Sequence, residues 1–67
     1  MKATTISKLR PYDLFTFKPI VDPTEKQVYV RGEYNRSTKR YEYYKFSDNR
    51  FVNVAKGDRI VYIDFDF

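Results

Sequence analysis

Apolar and polar side chains alternate with a period of two through much of this chain, and this alternation constrains its fold more than any other feature. Successive side chains of a β-strand point to opposite faces, so the pattern predicts strands rather than helices. No window has apolar residues spaced for a helix face, and a single turn near residues 7–10 is the most helix that we expect. Five runs fit a strand: residues 13–18, 27–34, 40–46, 50–54 and 59–67.

Turn-forming residues separate these runs. Pro19 and Pro23 follow the first run, and proline has no N–H to donate to a strand ladder. Residues 35–39 and 47–49 are short polar turns, and residues 56–58 predict a hairpin with Gly57 at a positive φ. Gly32 lies inside the second run, where a glycine indicates a bulge or a sharp bend.

Pair chemistry predicts the register between the second and third runs. Like charges directly opposite each other destabilise a sheet, and a shift by one residue in either direction creates such a pair. The favoured register puts an apolar set on the inner face, with Val30 opposite Tyr44 and Val28 opposite Phe46. The outer face then has three pairs: Tyr29 with Lys45, Arg31 with Tyr43, and Glu33 with Tyr41.

The order of strands and loops resembles that of SH3-like barrels: a strand, a long connection, a three-strand meander and a final strand. The stretches Pro11-Tyr12-Asp13-Leu14-Phe15 and Lys56-Gly57-Asp58-Arg59-Ile60 look like the strand entries of KOW-type bacterial small barrels. The resemblance implies an all-β fold, a single five-stranded antiparallel SH3-like barrel. An OB-like barrel or an open β-meander is the alternative. A chain of 67 residues has room for one domain, residues 1–67, and we expect residues 1–8 to be a loosely ordered arm.

The composition argues against several kinds of chemistry. The chain has neither cysteine nor histidine, which excludes zinc sites built from those residues and catalysis by imidazole. Two glycines cannot form a phosphate-binding loop, and Asp64 and Asp66 alone are too few ligands for a metal ion. We therefore expect no enzyme, no cofactor and no metal. With neither a signal peptide nor an apolar run of about 20 residues, we expect a cytoplasmic protein without a membrane partner.

Basic and aromatic residues interleave in the middle of the chain, within a net charge of +4 and a pI near 9.4. Cations attract phosphates and aromatic faces stack on unpaired bases, so this composition predicts binding to DNA or RNA. By analogy, such a protein suits an accessory role in a phage or mobile element. The candidate binding residues are Tyr29, Arg31, Arg36, Lys39, Arg40, Tyr43, Lys45 and Arg50.

Two other interpretations stay open. Tyrosine and arginine also form cation–π pairs that only stabilise a sheet, and strand lysines discourage aggregation. The chain could instead be a protein-interaction module or a homo-oligomeric subunit that uses a free strand edge. The first run, residues 13–18, and the last, residues 59–67, are the edges that we expect to be free.

Overall fold

The computed structural model describes residues 1–67 and contains six β-strands. The strands are β1 (Lys2–Thr5), β2 (Leu14–Phe15), β3 (Tyr29–Asn35), β4 (Arg40–Lys45), β5 (Asn53–Lys56) and β6 (Ile60–Ile63). Two 3-10 turns, Ile6–Lys8 and Glu25–Gln27, are the only helical segments, and neither has the length or the apolar character to cross a membrane. The predicted all-β class is confirmed.

The strands form two antiparallel sheets that are not closed into a barrel. The larger sheet has the order β2-β3-β4-β5, and the smaller pairs β1 with β6. Thr16 and Tyr62 join the sheets through reciprocal N–H···O bonds of 3.0 and 2.9 Å. The prediction of a single five-stranded barrel is therefore wrong, because the protein has six strands in two sheets. The larger sheet is an open meander, which was one of the alternatives.

The first residues are ordered, contrary to the expectation of a loose arm. β1 pairs with β6 over four residues, from Lys2 opposite Ile63 to Thr5 opposite Ile60. The turn after it is anchored as well, because the Ile6 N–H donates to the Arg59 carbonyl at 3.0 Å. The sequence of β1 shows little alternation of apolar and polar residues, since it consists of a lysine, an alanine and two threonines. Its strand conformation depends on pairing with β6, which is distant in sequence.

The register predicted between β3 and β4 is confirmed in its first half. Tyr29 lies opposite Lys45, Val30 opposite Tyr44, and Arg31 opposite Tyr43. Beyond Arg31 the register shifts, so Tyr34 and not Glu33 lies opposite Tyr41. The bulge predicted at Gly32 is therefore confirmed, and it is the reason that the third predicted outer pair is wrong.

The predicted inner face is confirmed for Val28 and Val30, which are buried, but the predicted outer face is wrong, because it is covered as well. The core consists of Ile6, Leu9, Phe15 and Val61, and the predicted outer residues Tyr29 and Tyr43 pack against it. The opposite face is only partly covered: Val28 and Val30 are buried, whereas Phe46 is 43% exposed. Both faces of β3 carry bulky side chains, so alternation alone could not tell which face the smaller sheet covers.

The positive φ angles lie elsewhere than predicted. Tyr12, Lys39 and Asp64 have φ of 74°, 57° and 60°, and neither glycine has a positive φ. Gly57 is closely packed instead, because a Cβ there would lie 3.0 Å from Cε1 of Tyr41, and the ring would have to shift by a few tenths of an ångström to accept it. Asp64 follows β6 directly, so the last predicted run ends at residue 63 rather than 67.

Candidate nucleic-acid interface

Four aromatic rings pack together at one end of the core. Phe15, Phe17, Tyr29 and Tyr43, hereafter the aromatic cluster, contact one another pairwise. The closest rings are those of Phe17 and Tyr29, with centroids 4.8 Å apart, and those of Phe17 and Tyr43, 5.1 Å apart. Phe15 is fully buried and the other three are half-buried, so one side of the cluster reaches solvent. Edge-to-face pairs of this kind contribute about 0.5–1.5 kcal/mol beyond the burial of their area.

Strand pairing explains why residues distant in sequence form this cluster. Phe15 on β2 lies directly opposite Tyr29 on β3, and Arg31 lies opposite Tyr43, which brings Tyr43 to the same face. Phe17 follows Phe15 by two residues, and the pairing of Thr16 with Tyr62 holds the segment extended between them. The cluster thus lies where the two sheets meet.

An open cavity of about 200 Å³ adjoins the cluster. Its lining combines rings, an aliphatic side chain, two lysines and an amide: Phe17, Lys18, Ile20, Lys26, Gln27 and Tyr29. None of these residues is acidic. Drug-sized ligands occupy about 300–1,000 Å³, so this cavity suits a single small ring system.

Two further cations lie beside residues that line the cavity. The Arg59 guanidinium lies over the Phe17 ring, 4.6 Å from its centroid, and Lys45 lies across from Tyr29 on the same face of the sheet. The chain has only two salt bridges, Arg10 with Asp13 and Arg50 with Asp48. The four cations therefore have no ion pair within the chain. We call this set the basic aromatic site: Phe17, Tyr29 and Tyr43 with Lys18, Lys26, Lys45 and Arg59.

Three of the eight residues predicted from the sequence belong to this site, namely Tyr29, Tyr43 and Lys45. Arg36, Lys39 and Arg40 lie at the far end of the β3–β4 hairpin. That end is roughly 20 Å from Tyr29, since a strand rises about 3.3 Å per residue. The structure therefore does not bring the predicted residues together on one surface.

Arg31 is buried, and the prediction that it faces solvent is wrong. It is only 6% exposed, and its Nη1 donates to the Gly32 carbonyl at 2.8 Å. Its guanidinium lies 4.7 Å from the centroid of the Tyr41 ring, while its Nε has no hydrogen-bond partner. A side chain packed in this way stabilises the sheet and is not available to a ligand.

Arg50 is exposed, but an acidic neighbour neutralises it. Its Nε and Nη2 donate to the two carboxylate oxygens of Asp48 at 3.0 and 3.1 Å. These bonds lower the pKa of Asp48 and raise the pKa of Arg50. The Lys45 charge makes a smaller contribution that also lowers the pKa of Asp48. Arg50 is thus less suited to phosphate binding than its position in the sequence indicates.

Sequence reasoning missed six residues of the site and its cavity: Phe17, Lys18, Ile20, Lys26, Gln27 and Arg59. Five of them lie at the two ends of the connection between β2 and β3. Once these strands are paired, the ends of their connection must meet, so the predicted strand order could have located them. Arg59 had no comparable signal, because its position depends on the junction of the two sheets.

Acidic side chains do not gather anywhere in the structure. No group of three or more lies close enough to hold a metal ion. The basic aromatic site is therefore the one place where exposed rings and unpaired cations surround a cavity. Comparison with protein-family models, with curated proteins and with solved structures gives no significant match for this chain.

Proposed function

We propose that this protein binds single-stranded nucleic acid through the basic aromatic site, without catalysing a reaction. The supporting observation is that the half-buried rings of Phe17 and Tyr29 line a cavity with two lysines and no carboxylate. A base would enter the cavity beside these rings, and the four cations would hold the neighbouring phosphates. Aromatic stacking contributes about 1–3 kcal/mol per base and requires a base that is not paired.

The number of cations sets the expected dependence on salt. For single strands, log K falls against log salt with a slope of about −0.7 for each phosphate neutralised. Four contacts give a slope of about −2.8, so affinity should fall roughly fifty-fold between 50 and 200 mM salt. A duplex should bind more weakly than a single strand at each salt concentration, because its bases cannot enter the cavity.

Two double variants with the same net charge test the location of the site. Lys18→Ala/Lys26→Ala removes two cations from the cavity, and Arg36→Ala/Lys39→Ala removes two from the hairpin end. The affinity for a labelled oligonucleotide of eight nucleotides is measured by fluorescence anisotropy at a series of salt concentrations. The first variant should make the slope shallower by about 1.4, and the second should leave it near the wild-type value.

Either of two results would overturn the proposal. One is the absence of binding by the wild-type protein at 20 mM salt, where electrostatic binding is strongest. The other is a larger loss in the hairpin variant than in the cavity variant. Thermal unfolding followed by circular dichroism verifies that both variants remain folded, and exposed lysine substitutions of this kind change stability by about 0.5 kcal/mol or less.

A second candidate function, binding of a protein partner or of another copy, is favoured by the outer face of β5. Val54 on β5 and Val52 just before it are 56% and 55% exposed, and Phe46, which follows β4, contacts Phe67 with ring centroids 5.0 Å apart. β5 ends the larger sheet, so its outer edge is free, whereas the edges expected to be free meet at Thr16 and Tyr62. Light scattering during size exclusion tests self-association, which Val54→Lys should abolish.

We further infer that the fold is an incompletely closed relative of the SH3-like barrel. In its support, the first strand pairs with the last, and β3, β4 and β5 form a meander. Beyond β5, the Ser7 N–H donates to the Gly57 carbonyl at 3.2 Å, which draws the sheets together at a second place. An experimental structure with continuous pairing around both junctions would support this inference, and one with widely separated sheets would contradict it.

A further inference from the structure

Hydrogen bonding within the chain fixes the orientation of the Gln27 side-chain amide at the cavity. The backbone N–H of Thr24 donates to Oε1 of Gln27 at 3.0 Å, and the Thr24 hydroxyl lies 3.4 Å from the same oxygen. A backbone N–H can only donate, so the oxygen of the amide must face Thr24. Nε2 makes no hydrogen bond within the chain, and its two N–H groups are left for a ligand.

The two lysine side chains of the lining have the same donor character. Lys18 and Lys26 carry ammonium groups, which donate and cannot accept. The Lys18 carbonyl, which could have accepted, already receives hydrogen bonds from the Thr16 hydroxyl at 2.7 Å and from the Ile20 N–H at 2.9 Å. The two ammonium groups and the free end of the amide therefore offer donors to the cavity, and the Tyr29 hydroxyl can either donate or accept.

We propose that Nε2 of Gln27 recognises position 4 of a pyrimidine, so that the cavity selects thymine and uracil, which have a carbonyl oxygen there. Both pyrimidines have a carbonyl oxygen at position 2, but position 4 is an accepting oxygen in thymine and a donating amino group in cytosine, which a donor cannot bind. A base in the cavity would receive a hydrogen bond from Nε2 of Gln27 while it stacks on Phe17 or Tyr29. This inference rests on the proposed function and adds a base preference to it.

The comparison of thymine with cytosine isolates the contribution of the cavity. Both are pyrimidines, so differences in base stacking and backbone flexibility within the free strand, which complicate a comparison with adenine, are reduced. We measure the affinity of the wild-type protein for labelled oligonucleotides of eight thymidines and of eight deoxycytidines at 50 mM salt. The expected ratio is about fivefold in favour of thymidine, the size of one neutral hydrogen bond.

Gln27→Glu reverses the chemistry of the side chain and leaves its structural role intact. Glutamate also occupies the third position of a capping box, so its carboxylate can still accept from the Thr24 N–H. The remaining oxygen can accept from the amino group of cytosine but cannot donate to thymine. The variant should bind both oligonucleotides more weakly because of its charge, and its ratio should shift toward deoxycytidine by about fivefold or more.

Glu25→Gln is the matched control, because it changes the charge in the same 3-10 turn but does not line the cavity. Its thymidine preference should equal that of the wild type. Equal affinity of the wild type for the two oligonucleotides would overturn the base preference and leave the proposed function intact. Binding to neither would overturn the proposed function and this inference with it, so the two failures are distinguishable. If Gln27→Glu does not fold, the ratio of the wild-type affinities for thymidine and deoxycytidine oligonucleotides still tests the base preference.

Discussion

Replacing Arg31 by alanine should destabilise the fold and leave oligonucleotide binding unchanged. The side chain is 6% exposed, with its guanidinium over the Tyr41 ring and one hydrogen bond to the Gly32 carbonyl. Because it is enclosed in this way, any effect of the substitution should be seen in the free energy of unfolding and not in affinity. The basic aromatic site contains no part of this side chain.

The magnitude follows from what the truncation removes. Two buried methylenes contribute about 0.8 kcal/mol each, the cation–π contact about 1 kcal/mol, and the charged hydrogen bond about 1.5 kcal/mol. Against this loss, the substitution removes the desolvation penalty of the buried Nε that has no hydrogen-bond partner, about 2 kcal/mol. The net destabilisation is about 2 kcal/mol, which for a domain of this size lowers Tm by roughly 10 °C. Arg31→Met keeps the methylenes and should lose about 0.5 kcal/mol.

Urea denaturation followed by far-ultraviolet circular dichroism measures these differences, because the chain has no tryptophan for fluorescence. Arg36→Ala is the control for loss of a positive charge at an exposed position, and we expect it to change stability by about 0.5 kcal/mol or less. An Arg31→Ala variant with wild-type stability and weakened oligonucleotide binding would refute the reasoning, since Arg31 would then have to reach the ligand.

Two further predictions concern packing and charge. Gly57→Ala should cost about 1–3 kcal/mol of stability, because the added Cβ would lie 3.0 Å from Cε1 of Tyr41. A double-mutant cycle with Tyr41→Leu should show coupling of about 1 kcal/mol, and additive effects would contradict this cause. The carboxyl of Asp48 should titrate by NMR with a pKa below its ordinary 3.8, so its bond to Arg50 contributes above that pH and is lost as the pH falls through the lowered pKa. Arg50→Ala should raise this midpoint, and a wild-type midpoint at or above 3.8 would contradict the ion pair.

Local pattern predicted much of the larger sheet. The strands at its centre, the register of Val30 opposite Tyr44 and the bulge at Gly32 all follow from alternation, charge pairing and the special geometry of glycine. These features depend on neighbours within one hairpin. Sequence reasoning can evaluate such neighbours without knowledge of the rest of the fold.

The features that the sequence did not reveal depend on contacts between distant segments. β1 forms a strand by pairing with β6, and the local composition of β1 does not predict a strand. The face of the meander that packs on the core carries Tyr29 and Tyr43, and this core includes Val61 of β6, a residue distant in sequence from the hairpin. Gly57 has no positive φ and instead lies close to Tyr41 of the neighbouring strand and to Ser7 near the start of the chain, so the turn-based explanation of that glycine is wrong.

The pairing of the first strand with the last has a consequence for how the protein folds. Lys2 lies directly across from Ile63, so nearly the whole chain must be present before this ladder can form. Contacts between residues so far apart in sequence slow folding, because the intervening chain must first be closed into a loop. During synthesis the meander could assemble early, but Ile6 and Phe15 would lack Val61 until β6 had left the ribosome. β1 and β6 should therefore pair last during folding and separate first during unfolding.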